Sequence, residues 1–399
     1  MIVAQLQLTD FRNYVSAHVD LVPGPNLFVG SNGQGKTNLV EALGYFATLG
    51  SHRVSSEQAM IRQGADAAIV RARIRHLDKE LLLEVQLNRT GTNRAQLNRN
   101  QIKVRELPRH FSTVLFAPED LALVRGEPAG RRRFLDELLV VRSPRLAGVI
   151  ADYDRVLRQR NTLLKSARSA GVKDHALSTL DVWDERLIAL GSELIEARSV
   201  LVSELQPRVT EAYIAVAGED HHTILANRLS ILGADPDSEA DDRDTTAPLR
   251  AGDAAVRFRE ALDQVRRSER ERGITLVGPH RDDLVLDLNG MPARGYASHG
   301  ESWSFALALK LASAHVLRGE SVVGDPVLIL DDVFAELDES RRARLANAVS
   351  DFEQVLITAA VLRDVPEALA QHTVRIEGGR IVESADPPVP GEEESRNGE

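Results

Sequence analysis

A glycine-rich segment between an apolar strand and a helical pattern constrains the fold of this chain more than any other feature. A short predicted strand, Asn26-Leu-Phe-Val29, runs directly into Gly30-Ser-Asn-Gly-Gln-Gly-Lys-Thr37, and the pattern from Asn38 onward is typical of a helix with one apolar face. Glycines let backbone N–H groups curl around a phosphate, and the N-terminus of a helix adds partial positive charge. The segment therefore predicts a P-loop within an α/β fold.

Two consecutive carboxylates supply the second half of the predicted nucleotide site. The apolar strand pattern at 327–330 ends in Asp331 and Asp332, which on their own would be more typical of a turn. Beside a P-loop, however, Lys36 reaches the β- and γ-phosphates, while Thr37 and Asp331 hold Mg²⁺. Asp332 is then placed to orient or deprotonate the attacking water, so the predicted catalytic residues are Asp332 and Lys36. The predicted cofactors are ATP and Mg²⁺.

Between the two halves of this site the pattern changes from strands to helices. Residues 67–105 alternate like antiparallel strands, and the chain from residue 130 is helical, with a heptad stripe at 180–205 that we interpret as a bundle helix. We also predict a helix at 253–272 and a strand at 274–277. The predicted domains are an N-terminal part of the ATPase head at 1–125, a helical insertion lobe at 126–272 with an acidic loop at 233–252, a C-terminal part of the head at 273–383, and a disordered acidic tail at 384–399.

The net charge of −10 is concentrated in two acidic segments. Residues 235–244 and 383–399 each carry a net −5, so the rest of the chain is neutral. Residues 53–173 hold 24 basic and 13 acidic side chains, which favours contact with nucleic-acid phosphates. A single arginine is more often part of a solvated helix face, so the DNA-binding candidates are predicted as a group: Arg94, Arg99, Lys103, Arg105, Arg158, Arg160, Lys165 and Arg168.

Several classes of protein are excluded by what the sequence lacks. Cysteine is absent, which excludes disulfides and cysteine-ligated zinc. No apolar run approaches the roughly 18 residues of a membrane span, and no basic segment followed by an apolar core marks a signal peptide. We therefore expect a soluble cytoplasmic protein with no membrane partner.

Two short motifs and several longer islands resemble a known family. Ser298-His-Gly-Glu-Ser302, which opens a helical pattern, and Ala335-Glu-Leu-Asp338 are similar to the signature motif and D-loop of ATP-binding-cassette (ABC) ATPases. Within that superfamily the chain resembles the RecF family, which is related to the SMC and Rad50 ATPases. This second resemblance rests on Leu8-Thr-Asp-Phe-Arg-Asn-Tyr14, Gly33-Gln-Gly-Lys-Thr-Asn-Leu-Val-Glu-Ala42, Gly126-Glu-Pro-Ala-Gly-Arg-Arg-Arg-Phe-Leu-Asp136 and Gly278-Pro-His-Arg-Asp-Asp-Leu284.

The resemblance implies both a fold and an active species. The fold is an α/β ABC-type ATPase head, made of a P-loop mixed sheet and an antiparallel β-subdomain, with an inserted helical lobe. The active species is an ATP-dependent homodimer in which each nucleotide is sandwiched between subunits. One subunit supplies the P-loop residues Gly30, Ser31, Asn32, Gly33, Gln34, Gly35, Lys36, Thr37 and Asn38. The other supplies Ser298, Gly300, Glu301 and Asp338.

The same resemblance implies a function in recombinational DNA repair. Its elements are binding of duplex DNA and of single-strand/double-strand junctions, slow ATP hydrolysis, and recombinase loading with RecR and RecO type mediators. Asp332 stands where the superfamily usually has glutamate, which fits weak hydrolysis. Ser298 also has a simpler interpretation, as the residue that caps a helix.

Two other interpretations remain open at this point. An ATPase subunit of a membrane transporter shares the P-loop and signature motifs, although the long basic insertion argues against it. A structural SMC-like protein would need a much longer heptad stretch than residues 180–205.

Overall fold

The computed structural model describes residues 1–54, 56–77, 79–170, 178–218, 221–233, 249–250, 252–321 and 324–382. These residues fall into two compact units. Unit 1 combines Met1–Pro118 with Leu317–Glu399, and unit 2 is Glu119–Val316. The predicted acidic tail at 384–399, and all but the ends of the predicted acidic loop at 233–252, lie outside the described residues.

The elements follow one another along the chain in this order. The strands are β1 (Ile2–Phe11), β2 (Tyr14–Asp20), β3 (Gly24–Val29), β4 (Ala67–His76), β5 (Lys79–Asn88), β6 (Arg94–Leu97), β7 (Asn100–Ile102), β8 (Thr113–Phe116), β9 (Thr223–Arg228), β10 (Asp283–Leu288), β11 (Met291–Pro292), β12 (Val327–Asp331), β13 (Gln354–Ala359), β14 (Thr373–Glu377) and β15 (Arg380–Val382). The helices are α1 (Lys36–Thr48), α2 (Leu121–Arg125), α3 (Pro128–Arg142), α4 (Leu146–Ala170), α5 (Ser178–Ala217), α6 (Ala254–Arg272), the single turn α7 (Ala293–Tyr296), α8 (His299–Glu320) and α9 (Glu339–Val349).

The central sheet of unit 1 interleaves strands from both ends of the sequence. Its order is β15-β14-β3-β13-β12-β8, and every pair is parallel except β14 with β15. Strands β12 and β13 are buried along their whole length, which explains their continuous apolar runs. Because the strands are parallel, the P-loop after β3 and the carboxylate at the end of β12 lie at the same edge of the sheet.

A second sheet of unit 1 is antiparallel throughout, as residues 67–105 predict. Its order is β2-β1-β4-β5-β6-β7. Alternate side chains of β4, from Ala68 to Ile74, are buried, while the residues between them are exposed or partly exposed. These buried faces and α1 share one apolar cluster, in which the rings of Phe46 and Phe111 meet edge to face with centroids 6.3 Å apart. The antiparallel sheet and the P-loop helix are therefore packed on a common core.

Unit 2 is built from long helices and one small sheet. The helices α4, α5 and α6 pack on one another, and the predicted heptad stripe lies on the single 40-residue helix α5. The sheet has the order β11-β10-β9 and is antiparallel. A buried ion-pair cluster joins the helices: Arg160 donates to Glu269 at 2.7 Å and to Asp184 at 2.6 Å.

The predicted strand at 274–277 is wrong, because its backbone groups are bound by side chains. The N–H of Thr275 donates to the Asn161 side chain at 2.7 Å, and the N–H of Leu276 donates to Glu269 at 2.8 Å. The segment is therefore irregular, with no ladder to a neighbouring strand.

The division into units also differs from the predicted domain boundaries. Residues 273–316, which we assigned to the head, belong to unit 2. There β10 pairs with β9. The guanidinium of Arg131 donates two hydrogen bonds to the carboxylate of Asp283, both at 2.8 Å.

Candidate nucleotide-binding site

The P-loop has the backbone conformation that its glycines predict. Gly33 and Gly35 have φ angles of +80° and +116°. A Cβ atom on Gly35 would lie 2.8 Å from the Asn13 amide atoms and from the Tyr14 hydroxyl. A Cβ atom on Gly30 would lie 2.3 Å from the carbonyl oxygen of Ile376. A side chain at Gly30 or Gly35 would therefore displace the loop from β14 or from the β1–β2 turn.

The lysine of the P-loop lies across the loop that precedes it. Lys36 is 4% exposed, and its Nζ donates to the carbonyl of Gly30 at 2.7 Å and to that of Ser31 at 3.3 Å. Ser31, Asn32 and Gly33 are exposed to solvent. The loop thus presents a fixed positive charge and the N-terminus of a 13-residue helix at an open surface.

The two predicted metal ligands contact each other. The hydroxyl of Thr37 donates to Oδ1 of Asp331 at 2.9 Å, and the hydroxyl of Thr358 donates to the same oxygen at 2.5 Å. Burial raises the pKa of Asp331, the charge of Asp332 acts in the same direction, and the two hydroxyl hydrogen bonds oppose them. A hydroxyl and a carboxylate oxygen at one point are ligands that Mg²⁺ accepts, so these residues fit the predicted ion.

Asp332 is held in a left-handed backbone conformation, with φ of 52°. Its N–H donates to both the hydroxyl of Thr358, at 2.9 Å, and the carbonyl of Thr358, at 3.2 Å. Its side chain is partly exposed. Non-glycine residues in this region are uncommon and are enriched at functional sites. The Thr358 hydroxyl thus donates to the Asp331 carboxylate and accepts from the backbone N–H of Asp332.

His52, which belongs to none of the sequence motifs, faces the carboxylate of Asp331. Nε2 of His52 lies 4.0 Å from Oδ2 of Asp331, whereas the two hydroxyls contact Oδ1. His52 comes from the segment after α1, and no motif marks it in the sequence. Only the fold, which brings this segment to the end of β12, identifies it.

A polar wall from the β1–β2 turn stands beside the P-loop. Asn13 donates to the carbonyl of Gln34 at 2.9 Å and accepts from Asn38 at 2.8 Å. Arg12 forms a forked ion pair with Glu41, at 2.7 Å and 2.5 Å. Burial opposes ionisation of Glu41, but the hydrogen bonds from Arg12 and Ser51 prevail and lower its pKa. Arg12, Asn13 and Asn38 line an open cavity of about 500 Å³.

The predicted signature motif lies in unit 2, at the start of α8. The N–H of Ser298 donates to the Glu301 carboxylate at 2.7 Å, and the N–H of Glu301 donates to the Ser298 hydroxyl at 3.3 Å. This is a reciprocal capping box, so the simpler interpretation of Ser298 holds as far as the local structure goes. Ser298 is nevertheless exposed, and Gly300 is partly exposed.

Asp338 of the predicted D-loop caps α9. Its carboxylate accepts from the N–H of Arg341 at 2.9 Å and from the hydroxyl of Ser340 at 2.7 Å. These hydrogen bonds lower its pKa, and the side chain is exposed. Because Asp338 is exposed, its role as the cap of α9 leaves it able to contact a second copy of the chain.

The DNA-binding candidates divide into exposed and buried side chains. Arg94, Arg99, Lys103 and Arg105 are exposed along the β6–β7 hairpin and the turn after it, and in the described part of the chain none of them forms an ion pair. Exposed positions on α4 hold Arg158, Lys165 and Arg168.

The prediction that Arg160 contacts DNA is wrong. Its side chain is 0% exposed, and its guanidinium donates to Asp184, Glu269 and Thr275. It does not belong to a DNA-contacting surface.

The helices of the described residues also bear on the membrane question. Within the ranges that the structure describes, none of them is both long enough and apolar enough to cross a bilayer.

Comparison with known proteins gives one consistent result. The family described as RecF/RecN/SMC N terminal domain matches residues 2–380. The DNA replication and repair protein RecF of Leifsonia xyli is 65% identical over 96% of this chain and 100% of the relative. That of Clavibacter sepedonicus is 62% identical over 98% of this chain and 99% of the relative. These relatives favour the repair interpretation over the transporter subunit.

Solved structures support the same assignment and the predicted ABC-type ATPase head. The recombination mediator protein RecF-ATP of the RecFOR pathway is 28% identical, with a TM-score of 0.79 over 96% of this chain and 97% of that chain. An SMC head bound to ScpA shares the fold, with a TM-score of 0.53 at 14% identity. On this evidence the chain belongs to the RecF family of DNA replication and repair proteins.

Proposed function

We propose that this protein is an ATP-gated DNA-binding ATPase of recombinational repair. The observation that carries the proposal is the contact between Thr37 and Asp331 beside a P-loop whose lysine is already in place. It joins the two halves of a Mg²⁺–ATP site that are almost 300 residues apart in the sequence. A solved relative described as RecF-ATP supports ATP as the nucleotide.

Each residue of unit 1 has a defined task in this proposal. The P-loop N–H groups and Lys36 bind the phosphates, and Thr37 and Asp331 would hold Mg²⁺, which supplies charge neutralisation when bound. The nucleoside occupies the cavity lined by Arg12, Asn13 and Asn38, where the Asn13 amide already donates to the P-loop carbonyl of Gln34 and accepts from Asn38. Asp332 orients the attacking water, and its short side chain favours slow hydrolysis, so that ATP acts as a switch.

The switch is a homodimer in which unit 2 of one copy completes the site of another. Ser298, Gly300 and Glu301 lie at the exposed N-terminus of α8, which is where a γ-phosphate is bound favourably. The exposed D-loop residue Asp338 contacts the facing copy. The capping box fixes the backbone of this turn before the dimer forms.

DNA binds through phosphate contacts in this proposal. The exposed cations of the β6–β7 hairpin in unit 1, and those of α4 in unit 2, each have the chemistry of contacts to the DNA backbone, and such contacts carry little sequence preference. The preferred substrates are single-strand/double-strand junctions and duplex DNA. Bound protein promotes recombinase loading with RecR and RecO type mediators, in line with the RecFOR pathway named for its solved relatives.

The decisive experiment measures DNA binding by the purified protein with and without ATP and Mg²⁺. Duplex, single-stranded and tailed DNA are compared by fluorescence anisotropy, and dimerisation is followed by light scattering. We expect ATP to induce both dimerisation and tighter DNA binding, with the tailed substrate bound best. Lys36→Ala abolishes both effects, whereas the control Lys79→Ala, in a hairpin of the antiparallel sheet, retains them. Equal DNA affinity with and without ATP would contradict the switch.

A further inference from the structure

One aromatic side chain differs from all others in its exposure. The chain has ten phenylalanines, five tyrosines and two tryptophans, all at described positions. All ten phenylalanines, four of the tyrosines and Trp303 are buried, and Trp183 is partly buried. Tyr296 is 67% exposed. No other aromatic ring among these is exposed, so this one calls for an explanation.

The backbone that carries Tyr296 is fixed. Arg294, with φ −65° and ψ 117°, and Gly295, with φ 87° and ψ −21°, are the two central residues of a type II turn. Ala293, at the start of the turn, is 1% exposed, and Arg294 forms a surface ion pair with Glu127 at 2.6 Å. One residue beyond the turn, the N–H of Ala297 donates to the carbonyl of Ala293 at 3.1 Å. The exposed ring is therefore carried by a turn of defined backbone geometry.

Tyr296 lies two residues before Ser298, which in the proposed dimer contacts the γ-phosphate of a nucleotide held by another copy. Two residues span at most about 7 Å, and the length of the tyrosine side chain adds to this reach. The distance is sufficient to pass from the γ-phosphate toward the nucleoside end of the same nucleotide.

The site that would receive this ring lacks an aromatic of its own. The described residues that line the cavity beside the P-loop are mostly polar, including Arg12, Asn13, Asn38 and Arg53, with Ile61 among the others, and none of them is a phenylalanine, tyrosine or tryptophan. A purine bound there has no aromatic stacking partner in the cavity wall of its own copy. An exposed tyrosine from the facing copy is the complementary group.

We propose that Tyr296 stacks on the base of the ATP bound by the P-loop of a second copy of this chain. The inference rests on the proposed ATP-dependent dimer and adds a nucleoside contact to it. The segment 293–298 then senses both ends of the nucleotide, the γ-phosphate through Ser298 and the purine through Tyr296. A triphosphate without a well-placed purine closes the dimer less tightly.

The test uses 2-aminopurine riboside triphosphate, whose fluorescence is quenched when an aromatic ring stacks on its base. Light scattering first establishes the protein concentration at which nucleotide makes each variant fully dimeric. Under those conditions we expect the emission of the wild type to be quenched, that of Tyr296→Phe to be quenched similarly, and that of Tyr296→Ala to be recovered. We also expect Tyr296→Ala to weaken the nucleotide-dependent dimer on the order of tenfold or more.

The control is Met291→Ala, which removes a side chain 49% exposed on the same segment and should leave the quenching unchanged. A wild type that stays monomeric with nucleotide contradicts the proposed function itself. A dimer whose 2-aminopurine emission is the same in the wild type and Tyr296→Ala overturns only the stacking inference. Loss of DNA affinity in Tyr296→Ala without nucleotide, with quenching intact, assigns the ring to DNA and also overturns it.

Discussion

At the scale of single residues, the centre of the site is one carboxylate oxygen shared by two threonines. Oδ1 of Asp331 accepts from Thr37 and Thr358, while Oδ2 faces His52. Thr358 is far from the P-loop in the sequence. It reaches the nucleotide site because it lies on β13, the strand next to β12. It orients Asp331 and also binds the backbone of Asp332. A residue without a motif thus fixes the geometry of two residues that have one.

Thr358→Val tests this positioning role. Valine keeps the branched shape but removes the hydroxyl, so Asp331 loses one of its two orienting hydrogen bonds. Mutation of a residue that hydrogen-bonds to a metal ligand typically lowers metal affinity or activity 10–100-fold. We expect the Mg²⁺ concentration needed for half-maximal ATP hydrolysis to rise by about that factor. Thr358→Ser, which retains the hydroxyl, should restore the wild-type titration; an unchanged Mg²⁺ dependence in the valine variant would refute the role.

His280 makes the stability of unit 2 depend on pH. Its ring contacts the Tyr153 hydroxyl at 2.7 Å, and burial lowers its pKa from 6.5 to about 3. Below pH 6.5 the unfolded chain gains a proton that the folded chain does not, so stability falls as the pH is lowered toward 3. Asp282 acts in the opposite sense, since burial raises its pKa to about 6 and its protonated form favours the folded state.

The variant His280→Asn should therefore lose less stability than the wild type as the pH is lowered, because Asp282 titrates in both proteins. Between pH 6.5 and 5 the histidine contributes a loss of at most about 2 kcal/mol. Urea unfolding at both pH values measures the difference between wild type and variant. His18→Asn, at an exposed position on β2, is the matched control and should resemble the wild type. If the two variants have the same pH dependence, His280 is not the titrating group.

At the scale of elements, the sequence predicted the strands and helices that are long or regularly patterned. It missed the short strands, and it wrongly predicted a strand at 274–277, where side chains bind the backbone groups. The P-loop strand β3 and the antiparallel strands β4 and β5 have clear patterns. Strand β8 has four residues, too few for a pattern, and owes its state to pairing with β12. Strand β9 likewise depends on β10, more than 50 residues away. Local patterns do not contain these partners.

The candidate site shows the same limit. Its motif residues, from Gly30 to Asp332, were predictable because phosphate and metal chemistry fixes their types and spacing. His52 and the Arg12–Glu41 pair were not, because their roles arise from where the fold carries them. Arg160 failed as a DNA contact for a related reason: its charge is visible in the sequence, but its buried acidic partners Glu269 and Asp184 are remote.

The N-terminus of α8 allows folding and assembly to be separated. Ser298→Arg places a long cationic side chain at the exposed start of the helix, while ATP is still bound by the P-loop in unit 1. We expect ATP affinity within about twofold of wild type and no ATP-dependent dimer by light scattering. Glu301→Ala removes one half of the capping box and should cost about 1 kcal/mol of stability. Normal dimerisation of the arginine variant would remove this turn from the interface.

At the scale of the whole molecule, the basic side chains divide into exposed cations, which we propose bind DNA phosphates, and cations held in structural ion pairs. Arg94, Arg105 and Lys165 are exposed. Changing any one to alanine should weaken DNA binding for all sequences and reduce the slope of log affinity against log salt by about 1. Arg160→Ala should leave that slope unchanged and instead destabilise the fold by roughly 3–5 kcal/mol, because it leaves buried carboxylates unpaired. Salt titrations combined with thermal unfolding distinguish the two groups.

The acidic C-terminal segment supplies an independent test of this charge distribution. Residues 383–399 carry a net −5 that opposes DNA binding over the Debye length of about 10 Å at 0.1 M salt. A chain lacking residues 386–399 should keep its melting temperature and bind DNA at least as tightly, with the gain largest at low salt. Weaker binding at every salt concentration would show that the segment contributes contacts of its own.

The position of β3 within the central sheet has a consequence for biosynthesis. The strand ends at Val29, yet its two neighbours begin at Gln354 and Thr373, so more than 300 further residues must be translated before either can pair with it. At 5–20 residues per second this takes on the order of 15–70 s. Unit 2, which is continuous in sequence, is complete on the ribosome first. A prematurely terminated chain therefore carries the glycine-rich sequence but lacks the parallel strands that flank β3 in the central sheet, and we expect only chains that include them to compete for ATP.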